Sequence, residues 1–248
     1  MKKLAPYFIF ALLLVSCAAE ELIFTDRTFV KKSTLAGKGN STSVKVTVPI
    51  AGNMETIADS INNTVFSVAK EIIYFGEKPY TSKDYDELLS SFIGSYEQLF
   101  KEFPDYNIPW EASIDGKVIH QTDEILNIEI KHYSFTGGAH GYGGLRSILI
   151  DPNTGKSIAN VALFHDVKTF EKLAEQKFRN QFKIPTKDPI NSTGMMFENE
   201  KFHLPNNIFY TEKGLLLYYN QYEIASYAEG PIELLFPYAE IENLLKLK

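Results

Sequence analysis

Residues 133–144 read YSFTGGAHGYGG and hold five glycines, one histidine and two tyrosines. Glycine at this density indicates backbone in conformations that other residues avoid, or backbone that another group approaches closely. Residues 126–131 alternate apolar and polar side chains as a half-buried strand does, and residues 145–150 form a second apolar segment after the glycines. We therefore predict a glycine-rich loop between two β-strands, and we place the other elements outward from it.

The strands on either side of this loop predict an antiparallel meander over residues 110–160. Apolar residues alternate up to Asp115-Gly116, a dipeptide typical of tight hairpin turns, and residues 117–121 are predicted to return from that turn. Residues 151–155, which read DPNTG, have the composition of a further turn. The centre of the chain is thus interpreted as consecutive antiparallel strands.

Helical periodicity precedes the meander. Residues 44–50 alternate as a strand, which Pro49 places either at a sheet edge or near a strand end, and Asn53 is predicted to cap a helix. The apolar face of that helix recurs every three or four residues up to Ile72, and a second helix is predicted between about Ser82 and Pro104. We interpret both apolar stripes as core faces.

A second mixed segment follows the meander. Asp166 is predicted to cap a third helix, and Pro237 is predicted to begin a short final helix. Between them, strands are predicted at residues 208–211, 215–219 and 232–236. This order predicts an α+β fold: antiparallel sheets with helices packed on one face, an N-terminal two-helix segment and a C-terminal helix-plus-sheet segment.

The composition is that of a globular protein. Of the 248 residues, 44% are apolar and 23% are charged, which is enough for one large core or two small ones. The net charge is −6, and no run of Lys and Arg exceeds two residues. Because a nucleic-acid groove needs a basic surface, we expect no nucleic-acid partner.

The first residues have the pattern of an export signal. Lys2 and Lys3 precede an apolar segment at residues 7–15, which is too short to span a bilayer. Residues 14–18, LVSCA, resemble the lipobox of bacterial lipoproteins, and Cys17 is the sole cysteine. This predicts a signal peptide at 1–16, lipidation of Cys17, and an anchor and spacer over 17–42. The alternative is a plain signal peptide with a chance cysteine.

His140 is the first candidate for chemistry. A histidine held in a glycine turn can act as a base, a ligand or a hydrogen-bonding anchor, and the alternative is a structural histidine that ties backbone groups together. The other four histidines form no H-x-H or H-E-x-x-H pair, and no G-x-S-x-G elbow surrounds Ser134. No phosphate-binding or dinucleotide-binding loop is present either. We therefore assign no catalytic residue, metal ligand or cofactor.

The polar connection at residues 221–230 is the second candidate. Its tyrosines are natural contact residues for a partner, and the alternative is that their rings pack under the loop. We predict that this connection and the glycine loop lie close together and form one face. The candidate ligand-binding residues are Gly137, Gly138, His140, Tyr142, Tyr222, Glu223 and Tyr227.

Two motifs together carry a family resemblance. Residues 134–141, SFTGGAHG, and residues 219–231, YNQYEIASYAEGP, resemble a paired signature of exported bacterial proteins. These proteins combine a PdaC-type N-terminal domain with an RsiV-type C-terminal domain of unknown function. The resemblance implies an α+β ectodomain, which we divide into residues 43–155 and 156–248.

The resemblance also implies a binding function in the cell envelope. In one branch, a membrane-anchored anti-sigma factor binds lysozyme through this ectodomain, and in another the N-terminal module accompanies a polysaccharide deacetylase domain. No stretch here resembles the metal-binding catalytic domain of that deacetylase. We therefore expect a module that is lipid-anchored on the periplasmic or outer face of a bacterial membrane and recognises a lysozyme-like extracytoplasmic protein. Binding of peptidoglycan or another cell-wall glycan is the alternative, and a hydrolase centred on His140 is a third hypothesis.

Overall fold

The computed structural model describes residues 21–35, 41–105 and 108–248. The predicted signal peptide and Cys17 lie outside the described residues. Within these ranges, no helix combines the length and the apolar character needed to cross a bilayer.

The first half forms a five-stranded sheet with two helices on one face. The elements are β1 (Ile23–Lys32), β2 (Ser43–Gly52), α1 (Glu55–Ile72), α2 (Tyr85–Glu102), β3 (Glu111–Gln121), β4 (Leu126–Phe135) and β5 (Tyr142–Ile150). The strands lie in the order β1-β2-β3-β4-β5. All neighbouring strands are antiparallel except β2 and β3, which are parallel and are joined through both helices.

The core of this half lies between the sheet and the two helices. Alternate residues of β2, including Val44 and Val46, are fully buried because their side chains point to the helix-covered face. Ile61 on α1 and Phe92 on α2 are also fully buried, and Trp110 packs its ring near Phe92 at a centroid distance of 5.7 Å. The stripes predicted from periodicity are therefore core faces, as expected.

The second half forms a three-stranded antiparallel sheet, ordered β6-β7-β8, with one long helix against it. Asp166 caps that helix by accepting hydrogen bonds from the backbone N–H groups of Lys168 and Thr169. The elements are α3 (Val167–Phe182), β6 (Asn207–Thr211), β7 (Gly214–Tyr219), β8 (Ile232–Phe236) and α4 (Tyr238–Ile241), with short 3₁₀ turns at Asn160–Leu163, Glu198–Glu200 and Tyr227–Glu229. The predicted α+β class, with sheets and helices in this order, is confirmed.

Asparagine side chains join the two sheets. Asn127 on β4 is fully buried, and its Oδ1 accepts a hydrogen bond of 2.9 Å from the backbone N–H of Tyr210 on β6. Asn207 on β6 accepts a 3.0 Å bond from the backbone N–H of Ser147 on β5, and the Ser147 hydroxyl donates to the carbonyl of Ile208. An open sheet edge presents unpaired backbone groups, so these contacts both cover β5 and fix the second sheet against the first.

The prediction of a spacer over residues 17–42 is wrong for residues 23–32, which form β1. This strand pairs along its whole length with β2, from Ile23 opposite Gly52 to Lys32 opposite Ser43. Most of its side chains are exposed, because β1 is the edge strand of the sheet. The alternation of apolar residues in β1 is consequently weak, and the strand is held in the sheet by its backbone hydrogen bonds to β2.

The hairpin predicted at Asp115-Gly116 is also wrong. Both residues lie inside β3, which runs on to pair with β4 beyond them. Gly116 is buried, and a Cβ there would lie 2.8 Å from Cδ1 of Ile130 and 3.1 Å from Cδ of Pro49. Glycine is therefore required at this position by close packing rather than by a turn.

The prediction that Asn53 caps the first helix is wrong. Met54, with φ 45°, is the N-cap residue of α1, and its side chain makes no capping bond. Asn53 instead donates its amide to the carbonyl of Glu21 at 3.2 Å, which ties the start of β1 to the end of β2.

Candidate functional site

The glycine loop joins β4 to β5 at one end of the first sheet. Gly137 and Gly138 have φ values of 104° and 92°, which side-chain-bearing residues rarely adopt. The ring of Tyr133 lies over Gly141, where any Cβ would collide with it. The glycines thus allow a sharp reversal and let one tyrosine cover the loop backbone.

His140 connects this loop to the second half of the protein. Its ring stacks on Tyr227, with centroids 4.4 Å apart and planes inclined by 24°. Its Nε2 lies 3.4 Å from the hydroxyl of Tyr222, and its Nδ1 lies 2.9 Å from the carbonyl oxygen of Gly141. An Nδ1–H donor to that carbonyl leaves Nε2 as an acceptor for the tyrosine hydroxyl. The imidazole therefore acts as a tie between two loops.

The connection after β7 is shaped by one carboxylate. Glu223 accepts a 2.9 Å bond from the backbone N–H of Asn220 and a 3.4 Å bond from that of Asn206. Tyr222, immediately before it, has φ 68°, a region that bulky residues seldom occupy. Such backbone is held only where the surroundings determine it, and here it presents an exposed tyrosine ring.

The side chain of Asn220 fastens this connection to the edge of β5. Its Oδ1 accepts from the backbone N–H of Leu145 at 2.8 Å, and its Nδ2 donates to the carbonyl of the same residue at 2.9 Å. Gly144 makes this approach possible, because a Cβ there would overlap Oδ1 of Asn220. The glycine loop and the tyrosine connection are thereby held as one surface.

We call this surface the tyrosine face. Its four tyrosine rings are between 38% and 52% exposed. It consists of Tyr133, Tyr142, Tyr222, Tyr227 and His140.

Two clefts open on the tyrosine face, one on each side of Asn220 and Gln221. The first has a volume of about 350 Å³ and is bounded by Tyr133 and Tyr227. The second has a volume of about 280 Å³ and is bounded by Tyr142, Tyr222, Arg146 and Glu223. Both clefts combine aromatic rings with amide groups, a combination suited to recognition of a polar ligand.

Burial shapes the electrostatics beneath the face. His132 on β4 is 7% exposed, and burial together with the nearby Arg146 lowers its pKa to about 4, so the ring is neutral at pH 7. Burial raises the pKa of Tyr142, and Arg146 opposes this. Arg146 itself is exposed and forms no salt bridge with any described residue.

The structure brings together most of the predicted site. His140, Tyr222 and Tyr227 are in contact, as the predicted proximity of the two loops implies, and Gly137 and Gly138 lie in the turn just before His140. Glu223 lies within the connection and shapes it, and Tyr142 lines the second cleft.

Sequence reasoning missed three residues of this surface: Asn220, Tyr133 and Arg146. Tyr133 lies inside the glycine-rich stretch 133–144, so its position in the sequence could have identified it as a residue of this surface. Asn220 has no local signal, because its partner lies 75 residues away in the sequence.

No metal centre is evident in the part of the chain that the structure describes. Across residues 21–35, 41–105 and 108–248, no group of three or more His, Cys, Asp or Glu side chains could hold an ion.

Comparison with protein families gives two matches. Residues 35–142 match the model of the family described as Deacetylase PdaC, and residues 162–239 match the model described as Protein of unknown function (DUF3298). These confirm the PdaC-like N-terminal half and place the C-terminal half in likeness to DUF3298 proteins. No curated protein sequence matches the chain significantly.

Solved structures share the fold over nearly the whole chain. A DUF3298-family protein from Bacteroides fragilis NCTC 9343 has 19% identity and a TM-score of 0.67, over 92% of this chain and 94% of its own. One from Pseudomonas aeruginosa PAO1 has 21% identity and a TM-score of 0.59, over 92% and 95%.

Proposed function

We propose that this protein is a binding module of the cell envelope whose tyrosine face recognises an extracytoplasmic protein. The observation that carries the proposal is the grouping of four half-exposed tyrosines: two on the strands that flank the glycine loop and two on the connection after β7. Elsewhere in the chain, Tyr96, Tyr210 and Tyr219 are completely buried. Tyrosine is enriched at the centre of protein interfaces, because it contributes a large rigid ring and a hydroxyl at small entropic cost.

The loops of this face are held in advance of binding. The Asn220 amide, the Glu223 carboxylate and the His140 ring are each used to fix one loop against another. A surface that is ordered before binding loses less entropy when a partner docks. These polar groups therefore hold the surface in its shape. This role favours a binding function rather than a catalytic one.

The arrangement of the first sheet agrees with a tether at the N-terminus. β1 begins at Ile23, opposite Gly52, whereas the glycine loop follows Phe135, which lies opposite Glu111 at the other end of the sheet. Strands of ten residues separate these two ends by roughly 30 Å. The chain that follows a lipid-bearing Cys17 would join the domain at the end of the sheet remote from the tyrosine face. That face would then point away from the membrane.

We propose a lysozyme-like wall-active enzyme as the partner, because the paired motifs resemble ectodomains that bind lysozyme. A wall glycan is the second candidate. It is favoured by the match of residues 35–142 to a family described as Deacetylase PdaC, and by exposed tyrosine rings that can stack on sugar rings as well as on side chains.

Titration calorimetry of residues 18–248 against lysozymes at physiological salt tests the proposal. We expect saturable binding without turnover, weakened about tenfold or more by Tyr222→Ala or Tyr227→Ala, as for residues at the centre of an interface. Ile23→Ala is the matched control, since Ile23 is 51% exposed but lies at the far edge and the far end of the sheet.

Binding that both tyrosine variants leave intact would refute the assignment of the face. A flat trace with lysozymes, together with retention on insoluble wall that Tyr227→Ala reduces, would transfer the function to the glycan candidate.

A further inference from the structure

The two sheets enclose a groove that continues from the first cleft of the tyrosine face. β6 is fixed on the first sheet by Asn127 and Asn207, and β7 and β8 extend away from it. One side of the resulting groove is the face of β4 opposite to the helices. The other side is the face of β7 and β8 opposite to α3. We call it the inter-sheet groove.

Successive same-side residues line this groove in two rows. Side chains two apart in a strand point to the same side, so Glu129, Lys131 and Tyr133 form a row along β4. The facing row pairs Leu216 on β7 with Leu235 on β8, and then Tyr218 with Glu233.

The first cleft and a separate cleft of about 510 Å³ lie at successive positions along these two rows. Lys131, Tyr133 and Tyr218 line the first, and Glu129, Leu216 and Glu233 line the larger one. Tyr218 lines the first cleft and is near two carboxylates of the larger one: burial raises its pKa, and the charges of Glu233 and Glu129 raise it further. Glu233 thus lies beside Tyr218 in the β7–β8 row, and Glu129 lies near it in the facing row of β4.

The charges along the groove follow a definite order. The larger cleft holds three carboxylates, those of Glu129, Glu212 and Glu233, against one ammonium group, that of Lys213. Among described residues, no salt bridge pairs Glu129 or Glu233. Burial raises the pKa of Glu129, and the positive charges of the nearby Lys117 and Lys131 offset this rise only in part. Lys117 lies opposite Glu129 in the strand register but forms its salt bridge with Asp115, so the partly desolvated Glu129 still gains from a cation supplied by a ligand.

Along β4, the side chain that lines the groove changes from acidic at Glu129 to basic at Lys131. Lys131 is exposed and has no salt-bridge partner among the described residues. Next to it, Tyr133 and Tyr227 form the aromatic end. The apolar side chains of Leu216 and Leu235 at the acidic end could cover the methylene stem of a long basic side chain.

We propose that the inter-sheet groove binds an extended polypeptide segment of the protein partner, with a basic, an acidic and an aromatic side chain at alternate positions. The inference rests on the proposed function, since the segment belongs to that partner. Alternate residues of β4 are about 6.7 Å apart, which is also the spacing of alternate side chains in an extended ligand. From Ile119 to Tyr133 the groove measures roughly 20 Å, the length of about six extended residues.

The test uses the 18–248 chain and two blocked hexapeptides in an NMR titration. The matching peptide is acetyl-Lys-Thr-Glu-Thr-Tyr-Thr-amide, and the swapped peptide exchanges its Lys and Glu; both are also made in reverse order. We expect at least one order of the matching peptide to bind about tenfold more tightly than its swapped counterpart, and to shift the amide signals of β4 and β7. Glu129→Gln combined with Glu233→Gln should remove this difference, whereas Asp59→Asn on the exposed side of α1 should not.

Equal affinity of matching and swapped peptides, or displacement of the peptide by an N-acetylglucosamine oligomer with the same shifts, would overturn the groove assignment. The two proposals fail separately. If Tyr227→Ala abolishes binding of the protein partner while the double Glu variant leaves it unchanged, the tyrosine face stands and the groove falls. If neither change affects the partner, both fall.

Discussion

Gly144 and Asn220 provide the sharpest test of how the two halves are joined. Gly144→Ala would place a Cβ in overlap with Oδ1 of Asn220, 3.1 Å from its Cγ and 3.2 Å from Nε2 of His132. Since backbone and the buried His132 leave little room, the Asn220 amide must withdraw from β5. We expect the two hydrogen bonds to Leu145 to be lost together.

The magnitude follows from those two bonds. A protein hydrogen bond contributes about 1 kcal/mol net, so the pair contributes about 2 kcal/mol. Gly144 does not have positive φ, so alanine is not strained there. For a domain of this size, about 2 kcal/mol corresponds to a fall in Tm of about 4–8 °C.

Differential scanning calorimetry of a double-mutant cycle checks this reasoning. Asn220→Ala alone should cost about as much as Gly144→Ala alone, because each removes the same two bonds. The double variant should be no less stable than Asn220→Ala by itself, which gives a coupling energy of about 2 kcal/mol. Fully additive losses, or a Gly144→Ala protein with unchanged Tm, would refute the account.

Three further predictions concern other parts of the chain. Gly94→Ala should raise the free energy of unfolding by about 0.5–1 kcal/mol in thermal unfolding, because Gly94 is exposed inside α2 and its Cβ would meet no atom within 4 Å. A loss of stability there would contradict the packing of α2. His132 has a folded-state pKa of about 4, below the ordinary value of 6.5, so the unfolded chain binds its proton first. Stability should therefore fall as pH drops from about 6.5 to 4, by at most about 3 kcal/mol, and urea unfolding of His132→Gln should lack that part of the slope. Gly141→Ala should displace the exposed Tyr133 ring and weaken partner binding in calorimetry while leaving Tm within about 2 °C, since the ring can rotate toward solvent; a large fall in Tm would show that Tyr133 is a structural residue.

Much of the fold could be predicted from local pattern. The strand over Ile232–Phe236, the cap at Asp166 and the core faces of the two N-terminal helices were all predicted correctly. Each depends on neighbouring residues alone, either through alternation, through helical spacing or through a side chain that bonds its own helix end.

The errors occurred where local and tertiary requirements differ. Asp115-Gly116 is typical of a hairpin turn, yet Gly116 is a glycine because Pro49 and Ile130 pack against it. β1 lacks a strong apolar alternation because an edge strand packs one side only in part, so its pairing with β2 left little trace in its composition.

By itself, the sequence determined most of the helices and strands of this protein, with β1 as an exception, and it located the two segments that carry the glycines, His140 and the exposed tyrosines. The tertiary structure alone decided that those loops meet, that Asn220 closes the edge of β5, and that Glu129 and Tyr133 line one groove. The reason is physical: strand alternation and helix capping act between residues a few positions apart. The contacts that join the two loops link residues about 75 or more positions apart, and only the packing of the two sheets brings them within bonding distance.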